Sequence, residues 1–338
     1  MIESEHWETT FSFVSPVYNE QEGLETFYNR LTAVAQSLSE PYEIIFVNDG
    51  SSDDTAGVIR RLAAADGNIK WVEFSRNFGH QAAVTAGYDY AKGKAVISMD
   101  ADCQHPPEVI PELVARWREG FEIVYTVRSD TDGISPLRRG IGRLVYKAIR
   151  MVSGVDLTDQ ADFRLMDHKA VQALRRMNEQ ARFVRGLVNW IGFRQIGIPY
   201  KAERRVAGKS NYTLKQLVGM STAGLCNFSN KPLRLAPLVG AAMLAITAIY
   251  AVVSILLWPF GMAPGAIAHL SMAIVGLFGM QFLILGILGE YIGRIFDETK
   301  DRPLYIVREE KGFELPHKAQ VPIKSSHDKS DKKYVLYT

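Results

Sequence analysis

A long stretch without charged residues limits what this chain can fold into. Between Arg234 and Glu290 the sequence contains no Asp, Glu, Lys or Arg. Two apolar segments, 235–260 and 266–288, lie inside it, and each exceeds the roughly 20 residues that a helix needs to cross a bilayer. Basic residues flank the outer ends and none lies in the turn, which by the positive-inside rule places both ends in the cytoplasm. The sequence therefore predicts a two-helix transmembrane hairpin, with a buried hairpin of a soluble protein as the alternative.

Composition and charge exclude several classes of function. The chain has 338 residues, enough for one large or two ordinary domains, and its net charge of +2 gives no reason to expect a nucleic-acid partner. Its two cysteines show neither metal-ligand spacing nor a disulfide framework, so we expect a reduced, cytosolic environment. Residues 1–10 are polar and acidic and lack the basic and apolar regions of a signal peptide.

The N-terminal part of the chain alternates between apolar runs and helical patterns. We predict strands at 11–17, 42–47, 69–74, 95–99 and 122–127, with helices between them at 20–38, 55–65, 79–91 and 107–119. Such alternation predicts an α/β fold with a largely parallel sheet and right-handed crossovers. No G-x-G-x-x-G follows the first strand, so the dinucleotide fingerprint of a nicotinamide-dependent oxidoreductase is absent from the sequence.

After residue 128 the pattern becomes less regular. Two helices and a strand are predicted, at 168–178, 183–190 and 194–204. Two amphipathic helices, at 137–152 and 213–228, are also predicted. The first carries basic residues beside apolar ones, which suits an anionic membrane surface, although an ordinary soluble helix with a charged face is the alternative. The tail, 311–338, has no sustained period, and we expect it to be disordered.

A pair of carboxylates after a buried strand carries the main chemical signal. The apolar run 95–99 ends in Asp100 and Asp102, followed by a polar turn and a Pro-Pro that opens a helix. Ligands of open α/β sheets bind beyond the carboxyl ends of the strands. Two carboxylates at such a place are costly unless a cation lies between them, and Mg²⁺ takes such ligands together with substrate phosphates. A solvated turn in which one carboxylate caps the helix is the alternative.

Five motifs occur in a fixed order before the apolar hairpin. They are Pro16-Val-Tyr18-Asn-Glu20, Asn48-Asp49-Gly-Ser51, Asp100-Ala-Asp102-Cys-Gln104-His-Pro-Pro, Asp162-Phe-Arg164-Leu-Met-Asp167 and Gly208-Lys209-Ser210-Asn-Tyr212. Together, from about Phe11 to Pro303, they resemble the family 2 glycosyltransferases of the polyisoprenyl-phosphate type, which include dolichol-phosphate mannosyltransferases and bacterial undecaprenyl-phosphate glucosyltransferases. One departure is Asn211, where members of the family often carry lysine.

The resemblance implies a fold and a set of residue roles. The fold is GT-A, a Rossmann-like, mainly parallel sheet with flanking helices. The residues implied to bind the nucleotide-sugar are Pro16, Tyr18, Glu20, Val47, Asp49, Asp100 and Ala101. Those implied to hold Mg²⁺ or Mn²⁺ are Asp100, Asp102 and Gln104. Those implied to bind the acceptor phosphate are Arg128, Arg139, Arg143, Lys209 and Tyr212, with the choice among Arg138, Arg139 and Arg143 left open. The catalytic residues implied are Asp162, Asp102 and Arg128.

The implied reaction transfers a hexose from a nucleotide-sugar to polyprenyl (undecaprenyl) phosphate with inversion. Glucose from UDP-glucose is the leading prediction, and GDP-mannose, UDP-GlcNAc and an aminoarabinose donor are alternatives. A phosphate monoester is already largely ionised at pH 7 because its second pKa is about 6. We therefore expect Asp162 to orient the acceptor or to stabilise positive charge at the sugar, unless it only pairs with Arg164.

The resemblance also extends to location, assembly and domain layout. It implies a multi-pass protein of the inner membrane with its catalytic domain and both termini in the cytoplasm, a role in O-antigen modification, and a possible homotetramer. The predicted parts are a tail (1–10), the catalytic domain (11–210), a juxtamembrane helix (211–234), two spans (235–290) and a C-terminal segment (291–338).

Two other functions remain as rivals at this stage. A processive polysaccharide synthase usually carries Gln-x-x-Arg-Trp, but Leu113 stands where the glutamine before Arg116-Trp117 would be. Such enzymes also need a channel of many spans. A non-catalytic, nucleotide-binding membrane scaffold is the other rival, and the intact set of Asp100, Asp102 and Gln104 argues against it.

Overall fold

The computed structural model describes residues 7–128, 160–177, 179–180, 182–201, 231–260, 265–313 and 335–336. The predicted helices at 137–152 and 213–228, and with them Arg138, Arg139, Arg143, Lys209 and Tyr212, lie outside the described residues. The chain divides into two compact units. One comprises Met1–Lys147, Val155–Thr213 and Asp301–Thr338, and the other comprises Ala148–Gly154 and Leu214–Lys300.

The first unit is built around a nine-stranded mixed sheet with flanking helices, as the predicted fold class requires. Its strands are β1 Phe11–Val17, β2 Tyr42–Asn48, β3 Ile69–Phe74, β4 Ala95–Ser98, β5 Ile123–Arg128, β6 Gln160–Asp167, β7 Gln195–Tyr200, β8 Ile306–Lys311 and β9 Val335–Leu336. Its helices are α1 Leu24–Ser37, α2 Thr55–Ala65, α3 His80–Tyr90, α4 Ile110–Arg118, α5 His168–Arg175 and α6 Val184–Trp190, with a 3-10 turn at Pro107–Val109 before α4. The spatial order of the strands is β7-β5-β6-β4-β1-β2-β3-β8-β9.

The central strands follow the predicted parallel arrangement. β1 pairs in parallel with both β2 and β4, and β2 pairs in parallel with β3. Apolar side chains of β1 and β2 pack against α1, α2 and α4 in the main core. Helices cover both faces of a parallel sheet, which is why these strands are rich in apolar residues. The carboxyl ends of β1, β2 and β4 therefore meet at one edge of the sheet, which we call the C-terminal edge.

The strand β6 is the main difference from the predicted topology. It lies antiparallel between β4 and β5, so the sheet is mixed rather than largely parallel. No strand was predicted at 160–167 because this segment carries two aspartates and an arginine. Its signal was the alternation of Ala161, Phe163 and Leu165, which point into the main core.

Two strands were not predicted in the segment that follows the apolar helices. β8 pairs antiparallel with β3, and β9 pairs antiparallel with β8. Arg60 bridges β3 and β8 with ion pairs of 2.8 Å to both Glu73 and Glu309. The Tyr305 ring stacks on Phe74 with the centroids 4.9 Å apart. These contacts attach the segment that follows the apolar helices to the edge of the sheet.

The second unit contains the two helices of the predicted hairpin. They are α7 Lys231–Leu257, followed by a 3-10 turn at Trp258–Phe260, and α8 Ala266–Thr299. Their turn-proximal ends meet where Tyr250 and His269 pack edge to face, with ring centroids 5.2 Å apart. Among the described residues one helix, α8, is long and apolar enough to cross a membrane. The two-span topology therefore stays a prediction, as do the domain boundaries.

The close packing of α3 on β1 depends on a glycine. A Cβ atom added at Gly87 would lie 2.0 Å from Cγ1 of Val14, a buried side chain of the central strand. We expect Gly87→Ala to lower the free energy of unfolding by about 1–3 kcal/mol, because overpacking a core forces strain on its neighbours. Thermal or urea unfolding of the purified protein measures this change.

Gly67→Ala is the matched control for this prediction. Within the described part of the chain no heavy atom lies within 4 Å of a Cβ added at Gly67. Its unfolding midpoint should stay near that of the wild type, and equal midpoints for both variants would contradict the packing argument.

Candidate active site

Acidic side chains from separate strands converge at the C-terminal edge of the sheet. Asp49 follows β2, and Asp100 and Asp102 follow β4, all at the ends of parallel strands. β6 is antiparallel to β4, and Arg164 of β6 pairs with Ser98 of β4. Asp162 lies two residues before Arg164, and Asp100 lies two residues after Ser98, so the two aspartates lie at the same level of the sheet. The antiparallel strand thereby brings Asp162 to the edge where Asp100 lies.

Two imidazoles hold the carboxylate of Asp100. His80, the first residue of α3, lies with its Nε2 2.7 Å from Oδ1, and Nε2 of His105 lies 3.5 Å from Oδ2. Burial acts to raise the pKa of Asp100, but His80 and His105 outweigh it and hold the pKa well below its usual range. Burial likewise acts to lower the pKa of His80, but Asp100 prevails and raises it to about 9. His80 is therefore an imidazolium at neutral pH.

A buried tyrosine extends this network on the far side of His105. The hydroxyl of Tyr200, at the end of β7, forms a 2.9 Å hydrogen bond with Nδ1 of His105. Burial raises the pKa of Tyr200 to about 12, so the phenol keeps its proton. Because this hydrogen bond holds the imidazole of His105 through Nδ1, it fixes the direction in which Nε2 points. Tyr200 thus orients the contact between His105 and Asp100.

Asp102 lies deeper than Asp100 and shapes the turn after β4. It is buried, and its Oδ1 accepts a 3.0 Å hydrogen bond from the backbone N–H of Gln104. Cys103 between them has a φ of 59°, a left-handed conformation that is uncommon for residues with a side chain. The turn is thus tightly constrained around the predicted metal ligands.

The donor set at this turn fits a hard divalent cation. Carboxylate and amide oxygens of Asp100, Asp102 and Gln104 are ligands that Mg²⁺ and Mn²⁺ accept, and Mg²⁺ commonly takes one or two carboxylates with substrate phosphates and water. No cluster of three or more His, Cys, Asp and Glu side chains suited to a metal occurs among the described residues. Two carboxylates and one amide leave coordination positions of the kind that substrate phosphates and water commonly occupy around Mg²⁺.

Asp162 lies between two arginines. Nη2 of Arg164 donates to Oδ1 at 2.9 Å, and Nη2 of Arg185 donates to Oδ2 at 3.0 Å. Burial acts to raise the pKa of Asp162, but Arg185, Arg164 and His80 outweigh it and lower the pKa. The ion pair with Arg164, which was the purely structural alternative for Asp162, is present. Arg185, whose side chain is more exposed than that of Arg164, forms a second ion pair with the same carboxylate.

The residues predicted to bind the nucleotide surround the ends of β1 and β2. The side chain of Asp49 accepts hydrogen bonds from the backbone N–H groups of Phe78 at 2.7 Å and Gly79 at 2.9 Å. These bonds hold the β3–α3 loop at this edge. Burial raises the pKa of Asp49 despite these hydrogen bonds. Gly50 has a φ of 63°, and a Cβ there would lie 2.4 Å from the backbone of Arg76, so the turn and the loop pack closely.

The other predicted nucleotide residues differ in exposure. Tyr18 is 48% exposed and its ring faces solvent, whereas Val47 and Ala101 are buried. Pro16 is buried within β1, and Glu20 is half-buried in the turn before α1. Their roles in binding stay predictions. Arg128 ends β5 with an exposed side chain at the same edge of the sheet.

Sequence reasoning missed four residues of this site: His80, His105, Arg185 and Tyr200. His80 and His105 had local signals, because one opens a helix after a strand-end loop and the other follows the Asp-x-Asp pair. Arg185 and Tyr200 come from a later helix and strand, and their place depends on where β6 and β7 join the sheet.

Comparisons with known proteins agree with the motifs. The family Glycosyl transferase family 2 matches residues 12–174. An uncharacterized glycosyltransferase of Bacillus subtilis, YkcC, is 43% identical over 308 residues, which cover 90% of this chain and 95% of that protein. The bactoprenol glucosyl transferase of Shigella phage SfV is 36% identical over 302 residues, covering 89% and 98%. A solved structure of glucosyl-3-phosphoglycerate synthase from Mycobacterium tuberculosis covers 64% of this chain and 77% of its own at 20% identity, with a TM-score of 0.44.

The contact between His80 and Asp100 predicts a pH dependence of stability. The pKa of His80 is about 9 in the folded protein and near 6.5 when unperturbed. A raised folded pKa gives stability that is fully present below the unfolded value and is lost as pH rises through the folded value. We therefore expect the metal-free protein to lose stability between pH 6.5 and 9.

Unfolding midpoints of the wild type and His80→Gln, recorded in EDTA across this range, measure the effect. The variant lacks the titrating imidazole and should show a flatter profile. Parallel profiles for the two proteins would show that this pair does not contribute.

Proposed function

This chain belongs to glycosyl transferase family 2, and from that membership we propose that it moves glucose from UDP-glucose to polyprenyl phosphate at the cytoplasmic face of a membrane. The observation that carries the proposal is a pair of carboxylates at the C-terminal edge of the sheet, with Asp100 beside His80 and Asp162 beside Arg164 and Arg185. The glucosyl group and the lipid acceptor are supported by relatives named bactoprenol glucosyl transferase at 35–36% identity over nearly their full length.

The donor end of the proposed site is the turn after β4. Asp100, Asp102 and Gln104 would hold Mg²⁺ or Mn²⁺. When bound, such an ion supplies charge neutralisation for a departing diphosphate. His80 and His105 orient the carboxylate of Asp100 from both sides, so the ligand is held before substrate arrives. The nucleoside would lie against Tyr18 and the loop that Asp49 fixes, with Pro16, Glu20, Val47 and Ala101 shaping that part of the edge.

The acceptor end requires little proton transfer. A phosphate monoester is largely ionised at neutral pH, with a second pKa of about 6. The pKa of Asp162 is lowered by its two arginines, which makes this carboxylate a weak base. We assign it to orienting the acceptor and stabilising positive charge at the sugar. Direct attack by the phosphate oxygen would invert the configuration at the anomeric carbon.

Arginines are the proposed binding groups for the acceptor phosphate. Guanidinium groups bind phosphate in a bidentate manner and with charge assistance. Arg128 lies at the edge of the sheet, and Arg139, Arg143, Lys209 and Tyr212 complete the proposed set from outside the described residues. Arg128, Asp102 and Asp162 are the residues on which we expect turnover to depend.

The surface of α8 supports the proposed membrane setting. Large apolar side chains along this helix are exposed rather than packed in a core, including Leu270, Phe278, Phe282 and Ile292. Exposed apolar area of this extent is costly in water and is covered by lipid in membrane proteins. A polyprenyl chain resides in the same bilayer, so an enzyme anchored there meets its acceptor at the interface.

A donor panel tests the proposed activity. Purified membranes containing the protein are incubated with undecaprenyl phosphate and labelled UDP-glucose, UDP-GlcNAc, GDP-mannose or an aminoarabinose donor. We expect label from UDP-glucose in the lipid fraction, in a β-linked product, dependent on Mg²⁺ or Mn²⁺. Transfer from another donor would show that the transferred sugar is not glucose. No transfer from any donor would overturn the proposal.

Two substitutions test the assigned residues in the same assay. We expect Asp102→Asn and Asp162→Asn each to reduce kcat by about a hundredfold or more, because each removes charge stabilisation in a preorganised site. Asp297→Asn removes an exposed carboxylate of α8 and should leave turnover unchanged. Near-normal turnover of Asp162→Asn with metal present would remove Asp162 from the mechanism.

A further inference from the structure

We propose that Arg185 is a phosphate-binding residue of this site, whose guanidinium leaves Asp162 for a phosphoryl group of a bound substrate. The inference rests on the proposed function and adds to it a residue outside the motifs that carry the family resemblance. It follows from the unequal surroundings of the two arginines that pair with Asp162.

The first arginine holds Asp162 from within the protein. Arg164 is 1% exposed, and its Nη2 donates both to Oδ1 of Asp162 at 2.9 Å and to the carbonyl oxygen of Ala161 at 3.1 Å. Breaking a buried ion pair leaves an uncompensated charge in the interior, which is strongly unfavourable. Arg164 therefore stays with Asp162 and keeps it ionised.

The second arginine holds the same carboxylate from the open side. Nη2 of Arg185 lies 3.0 Å from Oδ2, and the side chains of Arg185 and Asp162 are 21% and 23% exposed. Arg164 stays paired with Asp162 when Arg185 moves, so the carboxylate is not left without a cation. Arg185 can therefore exchange Asp162 for another anion that reaches this side of the site.

A phosphoryl group is the ligand that best fits this exchange. Its oxygens accept the parallel hydrogen bonds of a guanidinium fork, which are stronger than those to neutral acceptors. The position is suitable, because Arg185 donates to Asp162, which β6 brings to the edge of the sheet where Asp100 lies. Arg185 thus lies at the edge that carries the proposed metal ligands.

The backbone around Arg185 is fixed, so the side chain alone would move. The N–H of Val184 donates to Oε1 of Gln81 on α3 at 2.9 Å, and Nδ2 of Asn189 donates to the carbonyl oxygen of Arg185 at 3.0 Å. The first contact anchors α6 against α3, which carries His80, and the second lies within α6. A long side chain on an anchored helix reaches a neighbouring ligand by changes of rotamer.

The phosphoryl group can belong to either substrate, and equilibrium binding distinguishes the two. UDP binding in Mn²⁺ reports the donor diphosphate, and binding of undecaprenyl phosphate in detergent micelles reports the acceptor. We expect Arg185→Gln to weaken one of these ligands at least about tenfold, as the loss of a bidentate charge-assisted contact predicts. Arg185→Lys should recover part of the loss, because it restores the charge without the fork.

A matched control and a second background separate direct from indirect effects. Arg194→Gln removes an arginine that stacks on Phe121 with its Cζ 5.0 Å from the ring centroid, at the opposite edge of the sheet, and should leave both affinities unchanged. In an Asp162→Asn background, a residue that only positions Asp162 has nothing left to position. Arg185→Gln should still weaken the ligand there by a similar factor.

The outcomes decide between the roles of Arg185. Weaker binding of UDP or of undecaprenyl phosphate in both backgrounds supports the proposal and names the substrate. Unchanged affinity for both ligands, or a loss that disappears in the Asp162→Asn background, overturns it. If the wild type transfers no sugar to polyprenyl phosphate, the proposed function fails, while the binding measurements still test Arg185. Unfolding midpoints of each variant show whether the protein is folded in these measurements.

Discussion

The pairing of β6 with β4 is the interaction on which the candidate site depends. β4 ends at Ser98, and its register with Arg164 places an antiparallel strand beside the strand that leads into Asp100. If β6 were parallel, Asp162 and Asp167 would exchange edges, and Asp162 would lie at the far end of the sheet. Ser98 reinforces the register, because its hydroxyl donates to the carbonyl oxygen of Asp162 at 3.0 Å and accepts from Tyr88 at 2.8 Å.

The first half of the fold was predictable because its strands are buried on both faces. The runs β1 to β4 are rich in apolar, β-branched and aromatic residues and predict strands, and their boundaries agree with the structure to within a residue. β6 was missed because burying Arg164 contradicts ordinary hydropathy, and its cost is offset by hydrogen bonds to Asp162 and the backbone. β8 was missed because its charged residues pair with Arg60, Glu73 and other partners that are distant in sequence.

The site shows the same division between local and non-local information. The carboxylates Asp100, Asp102 and Asp162 were predictable because strand ends and the motifs mark them. Most of the groups that face them were not, because the cation Arg185 and the neutral phenol of Tyr200 arrive from elements whose place depends on β6 and β7. Sequence reasoning therefore identified the negative half of the site, whereas most of the positive half required the tertiary structure.

The charge balance around Asp162 bears on which acceptors the site can serve. A hydroxyl acceptor must lose a proton as it attacks, which calls for a base whose pKa lies near the working pH. Asp162 is paired with two arginines that lower its pKa, so it is poorly suited to that task. An acceptor that arrives as an anion does not need such a base. It needs cations that bind it and a carboxylate that stays charged beside the sugar. Arg164 keeps Asp162 charged, and Arg185 is a cation beside it, so this arrangement suits the phosphate acceptor that we propose.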